Sequence, residues 1–219
     1  MPPKPAGKTV KTTASKGGTA AKPAKAAAPK STTKTPAKPA ATAKPAEAAP
    51  AKPPEHKITV KELAAFVLQD ADNIVKNSKW FPMMIDPSEI SGRFLQYREC
   101  TFINGLDHEF INSPDRIRIA TLAALRHGKK LVIDMMGVDL YEPIYSVMEK
   151  IEPGLLKMIL DKSIMEDDNI KKLMRPTDDD LYSNILQFGM KDDFGFVIIT
   201  KNEDTNGFTD KMMTVRVES

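Results

Sequence analysis

From residue 58 onward the chain alternates between two hydrophobic rhythms. Apolar residues at three- and four-residue spacing (Leu63, Phe66, Val67, Ala71, Ile74, Val75) predict a helix over 60–77, started by a capping box at Thr59, Val60, Lys61 and Glu62. Further helices are predicted near 87–98, over 113–127, near 140–151 and 153–162, and near 167–174. Between them lie short, nearly continuous apolar runs, the pattern of strands buried on both faces. They are residues 81–85, 101–104, 131–134, 194–200 and 212–217, with Phe194 to Thr200 the most strand-like. Strands separated by helices pair in parallel through right-handed crossovers. The predicted fold class is α/β, a parallel five-stranded sheet flanked by helices.

Local chemistry sharpens some boundaries. Ser113, Pro114 and Asp115 offer a cap, a proline at the first helical position and an acid in the first turn, and Gly128 offers the stop. The segment from Trp80 to Glu89 reads as a buried strand breaking into a helix, with Asp86 as N-cap, Pro87 at the first helical position and Glu89 completing a capping-box-like pattern. In nucleotide-binding α/β domains this is where a helix N-terminus holds phosphate. A phosphate loop needs glycines that turn backbone N–H groups inward and a lysine for the terminal phosphates. Here the protein's own carboxylates meet the helix start, satisfying its dipole and repelling a phosphate.

Residues 1–56 follow neither rhythm. They hold no aromatic residue, and Lys22-Pro23-Ala24-Lys25, Lys38-Pro39-Ala40, Lys44-Pro45-Ala46 and Lys52-Pro53-Pro54 place prolines too densely for a helix. Up to Lys57, twelve lysines face only Glu47 and Glu55; of the 32 basic and 29 acidic residues overall, the remainder therefore holds 20 and 27. The net charge of +3 thus conceals a basic arm on an acidic body. Residues 1–56 are predicted to be a disordered, extended tail and residues 57–219 one globular domain. Lys22, Lys25, Lys30, Lys34, Lys38, Lys44 and Lys52 are candidate polyanion contacts, offering charge without the arginines or aromatics of base readout. The tail lacks the apolar centre of a signal peptide and the arginines of a mitochondrial presequence, and no membrane span is expected. One cysteine, Cys100, makes no internal disulfide and suits a reducing compartment.

Several segments together resemble a known family. Trp80 to Pro87 resembles the Arg-Trp-Pro-Leu-Met-Ile-Asp-Pro-Gln segment that opens the fifth AAA module of dynein heavy chains. Arg116 to Gly128 and Leu131 to Asp134 resemble a helix and the following strand of that module; Asp139 to Pro143 resembles its Glu-x-Leu-Asp-Pro-x-Leu. Phe196 to Lys201 resembles its Phe-x-x-x-x-Thr-Lys strand, and Met213 to Val217 its last strand. Leu173 to Asp178 is similar to the related module of proteins that combine an IQ motif with ankyrin repeats. The resemblance covers most of 78–219. It implies an AAA+-like core with strand order 5-1-4-3-2, in which 81–85 is the first strand, 101–104 the second, 130–135 the third, 194–200 the fourth and 212–217 the last. It also implies a structural part without a working nucleotide site, whose vestigial positions are Asp86, Pro87, Ser88, Asp134, Thr200 and Lys201. The chain departs further from the active pattern: Ser88-Glu89-Ile90-Ser91 stands where the family has Gln-Gly-Gln-Ala, and Met135 where a water-activating glutamate would be. A helical lid after residue 219 is not expected.

No catalytic, cofactor-binding or metal-ligating residue is assigned. His56, His108, His127 and Cys100 lack ligand spacing, and the acidic runs lack the calcium-loop pattern. Arg116, Arg118 and Arg126 read as a solvated helix face, and Arg175 as holding its loop through a bidentate contact with Asp178, Asp179 or Asp180. The expected function is a non-catalytic scaffold that docks protein partners in the cytoplasm, first at the cytoskeleton or in a cilium or flagellum. Its tail would hold a polyanion such as the acidic tails of tubulin in microtubules. The alternatives are nucleic-acid or chromatin association through the tail, or a residual nucleotide-binding ATPase.

Overall fold

The structure, a computed structural model, describes residues 52–203 and 207–218. The reading of residues 1–51 as a disordered arm, and with it Lys22, Lys25, Lys30, Lys34, Lys38 and Lys44, lies outside the described residues; Lys52 is exposed. In chain order the elements are β1 (Glu55–Thr59), a π-helical turn (Ala64–Gln69), α1 (Ile74–Asn77), β2 (Pro82–Ile85), α2 (Ile90–Gln96), β3 (Thr101–Asn104), α3 (His108–Asn112) and α4 (Pro114–His127). Then come β4 (Lys130–Asp134), α5 (Tyr141–Ile151), α6 (Leu155–Leu160), α7 (Asp167–Leu173), four short 3-10 turns between Ser163 and Asp193, β5 (Gly195–Thr200) and β6 (Met213–Glu218).

All six strands pair in parallel, in the order β1-β6-β2-β5-β4-β3. The five strands expected from the sequence thus stand as last, first, fourth, third and second, with β1 added beside the last. Position in this order explains the apolar runs. Every residue of the interior strands β2 and β5 is buried, whereas β6 alternates and the edge strand β3 is half-open. Phe81 anchors the centre, meeting Phe194 and Phe196 edge-on at 6.0 and 6.4 Å. Helices flank the sheet and complete one apolar core.

Three expectations are corrected. The sheet has six strands, not five, and the sixth begins inside the segment assigned to the tail. In β1 only Ile58 is buried, so no apolar rhythm announces it. Its charges instead pair across the edge: Lys57 with Glu218 at 3.0 Å, and Glu55 with Arg216 at 2.6 Å. The helix expected over 60–77 is broken. Glu62 does accept from the Thr59 N–H and hydroxyl (2.8 and 2.9 Å). After Gln69, however, Asp70 turns left-handed and its carboxylate caps α1 through the Val75 and Lys76 N–H groups at 3.0 and 2.7 Å. Asp and Asn side chains compete for backbone donors in this way, and Asn73 is left-handed too. The third correction concerns the start of α2.

Candidate functional site

The carboxyl ends of β2, β4 and β5 open on a cleft of about 280 Å³ lined by Asp86, Glu89, Asp134, Thr200 and Lys201. Four of the six sequence-selected positions, Asp86, Asp134, Thr200 and Lys201, thus meet in one place; Pro87 and Ser88 do not line it. The Asp86 N–H continues the sheet ladder onto the Thr200 carbonyl at 2.8 Å, fixing the turn against β5.

Asp86 caps the helix, but not as the sequence suggests. Its carboxylate accepts from the Ser88 N–H (2.9 Å), the Ser88 hydroxyl (2.5 Å) and the Ser91 N–H (2.6 Å). Pro87 and Ser88 form a turn, and α2 begins only at Ile90, because Glu89 stands left-handed at φ 60°. Glu89 therefore does not reach back to close a capping box. It points into the cleft, where it binds Lys201 and also Arg93, the latter at 3.4 Å. Burial alone would push the Asp86 carboxyl up; the Ser88 and Ser91 donors outweigh it and hold the group below the usual carboxylate range. Glu89 is held low as well, chiefly by Lys201.

Asp134 behaves in the opposite way. It is 7% exposed, and burial, reinforced by the charges of Glu89 and Asp86, pushes its carboxyl up against the pull of the Met136 N–H and Lys201. The Met136 N–H donates to Oδ1 at 2.9 Å. On the other side α2 presses so close that a Cβ on Gly92 would lie 2.3 Å from Oδ2. Only glycine fits there, and the carboxylate fills the gap between helix and strand.

Lys201 is doubly engaged, its ammonium on Glu89 and its stem against the backbone of Gly137. Thr200 accepts from the Asn202 N–H at 3.1 Å, and Asn202 donates to the Gly137 carbonyl at 2.8 Å. With Asp107 included, four carboxylates line the cleft against Arg93 and Lys201, both ion-paired to Glu89. The cleft is acidic and internally satisfied. Among the described residues, no group of three or more His, Cys, Asp and Glu side chains is placed to share a metal ion, and no helix is long and apolar enough to cross a membrane. Cys100 is a free thiol pushed up by burial, donating to the Leu95 carbonyl at 3.1 Å.

Arg116 is exposed, as the solvated-face reading expects, and Arg126 is half-buried, but Arg118 and Arg175 depart from their expected places. Arg118 is not on a solvated face: its side chain is 3% exposed and grips Asp178 with both ends of the guanidinium, at 2.7 and 2.6 Å. It also donates to the Leu173 carbonyl (2.6 Å) and to Asp115 (2.8 Å). The bidentate contact expected of Arg175 belongs to Arg118; Arg175 gives Asp178 only its backbone N–H, at 2.7 Å, and turns its guanidinium to Asp115. The signal was present, because Arg118 shares helical spacing with buried Thr121, Leu122 and Leu125.

No family model matches this chain, and no solved structure matches it.

Proposed function

We propose that the folded part is a degenerate AAA+-like module without catalytic activity, a scaffold that docks protein partners. The observation that carries this reading is the occupation of the α2 start. The N–H groups of Ser88 and Ser91, which would meet a phosphate in a nucleotide site, are taken by Asp86. The Thr-Lys pair at the end of β5 supports it too, since Lys201 is committed to Glu89 instead of being free for an anion. The strand order β1-β6-β2-β5-β4-β3 and the segment resemblances support the AAA+-like part of this reading. The basic arm adds a sequence-blind, salt-sensitive hold on a polyanion. The cytoskeleton, and a cilium or flagellum in particular, is where the dynein-like segments direct the search, with acidic tubulin tails as the polyanion.

A titration of the full chain with labelled ATP and magnesium tests the inert cleft. No saturable binding is expected, and saturable micromolar affinity would replace this reading with that of a residual ATPase. The lysine surplus of the arm also fits nucleic acid, the alternative polyanion. Binding to microtubules and to DNA at matched ionic strength separates the two, with the microtubule expected to bind more tightly.

A further inference from the structure

A groove of about 660 Å³ lies away from the acidic cleft, between the start of β2, α5, α6 and the turn before β6. Its floor is aromatic and aliphatic: Trp80, Tyr141, Tyr145, Leu156 and Leu160. The floor is held in place from below. Tyr141 stacks on Tyr145 at 6.3 Å and meets buried Phe208 edge-on at 4.9 Å. Gly207, at φ 97°, lets the chain pass where a Cβ would lie 2.6 Å from the Tyr141 ring. Lys211 donates to the Tyr141 hydroxyl at 2.6 Å and lies over the same ring at 4.6 Å.

The rim supplies the second half of a recognition surface. Lys79, Lys157 and Lys211 stand around it with Asp161 and Asp210. Asp161 accepts from the Ser163 N–H (3.0 Å) and hydroxyl (2.6 Å), so it already serves its own loop. By contrast, the Lys79 and Lys157 ammoniums, the Trp80 indole N–H and the Tyr145 hydroxyl have no partner among the described residues. Asp210 is the one rim acid without a partner among the described residues, against two such lysines, so an apolar floor bordered mainly by unused donors suits a ligand that brings acceptors and an apolar anchor. The lysines select anionic acceptors, and they do so on a body that beyond Lys57 holds 27 acidic against 20 basic residues. We propose that this groove docks an acidic peptide segment carrying bulky apolar side chains, the carboxylates on Lys79 and Lys157 and an anchor over Trp80 and Tyr145. This rests on the reading of the domain as a docking module, but not on the state of the acidic cleft.

Trp80 is the single tryptophan of the chain, so its emission reports the groove directly. The full chain is titrated with a short synthetic peptide alternating Glu with Leu and Phe. A second peptide replaces the apolar residues by Ser, and a third has the Lys-Pro-Ala composition of the chain's own arm. The expected result is a saturable shift of Trp80 emission with the first peptide alone, weakened about tenfold or more by Lys157→Glu or Tyr145→Ala. Both side chains are exposed enough to be changed without loss of fold, which far-UV circular dichroism verifies. An acidic peptide held only by the lysine arm would leave Trp80 unmoved and indifferent to Lys157→Glu, which overturns the proposal. A shift produced by the Lys-Pro-Ala peptide instead overturns the acidic occupant while leaving the docking module standing. The ATP titration judges the inert cleft separately.

Discussion

Removing the Arg118 side chain tests whether the turn-rich segment after α7 is clamped by a buried ion pair. Arg118 and Asp178 are 3% and 4% exposed at the side chain, and the guanidinium satisfies both carboxylate oxygens, the Leu173 carbonyl and Asp115. The pairing holds the Asp178 carboxyl below the usual range, first through the hydrogen bonds from Arg118. In Arg118→Met the volume is largely kept, but Asp178 remains buried with only the Arg175 N–H as donor, and the Leu173 carbonyl at the end of α7 is orphaned. Breaking a buried pair from one side costs about 3–5 kcal/mol. For a domain of this size that lowers Tm by roughly 10 °C. Urea unfolding of wild type, Arg118→Met, Asp178→Leu and the double variant, followed by circular dichroism and Trp80 emission, gives the full cycle. The double variant should recover about 2 kcal/mol or more of the summed losses, because neither charge is then stranded. A single-variant loss below about 1 kcal/mol, or strictly additive losses, would refute the clamp.

Three further predictions concern the cleft and the arm. Asp86→Ala strips the cap from the Ser88 and Ser91 N–H groups and should cost about 1–2 kcal/mol at neutral pH. The folded-state pKa of Asp86 is lowered, so its contribution is present above the ordinary carboxylate value and lost as pH falls through the folded one; urea melts of wild type and variant should converge in strong acid. Asp134→Asn should do the reverse, raising Tm at neutral pH, since the Asp134 pKa is raised and its ionised form is penalised when folded. That gain should be complete above the raised pKa and gone once pH reaches the ordinary carboxylate value, which thermal melts across the acid range will read. Deleting residues 1–51, which stop short of β1, should abolish co-sedimentation with microtubules at low salt, and salt alone should do the same to the full chain; equal pelleting without the arm would discard its polyanion role.

What the sequence made legible follows from burial. Met83, Met84, Ile85 and the run from Phe196 to Ile199 sit in strands flanked on both sides, so continuous apolarity marked them. β1 was invisible for the same reason: an edge strand needs only one buried side chain, and Glu-His-Lys-Ile-Thr provides just that. Asp70 and Asn73 carried a warning that helical spacing overrode, because apolar periodicity does not register a side chain that steals backbone donors. At the cleft, residue types and order were enough to gather Asp86, Asp134, Thr200 and Lys201. The left-handed backbone of Glu89 was not legible, since nothing in its local sequence demands a positive φ. Tertiary packing sets it, with α2 drawn against Asp134 through Gly92 and the Glu89 carboxylate delivered to Lys201.

That one backbone choice couples the capped start of α2 to the Glu89–Lys201 ion pair. Had α2 begun at Pro87, Glu89 would have folded back on its own helix and Lys201 would have stood free beside Thr200. Because the helix starts three residues later, the two cleft-facing charges cancel, and Asp86 alone closes the N–H groups. A phosphate arriving here would have to displace Asp86 from two backbone donors, worth about 1–3 kcal/mol in stranded groups alone. It would also have to strip Lys201 from Glu89 while facing Asp134, Asp107 and the displaced acids in a space of about 280 Å³. Changing one residue relieves one of these obstacles and leaves the rest, because removing Asp86 adds no cation and removing Glu89 supplies no glycine turn. On the proposed reading, the obstacles to a phosphate are distributed over Asp86, Glu89, Asp134 and Gly92 together. Unpartnered donors and exposed apolar surface lie elsewhere among the described residues, Tyr145 and the lysines that border Trp80 among them.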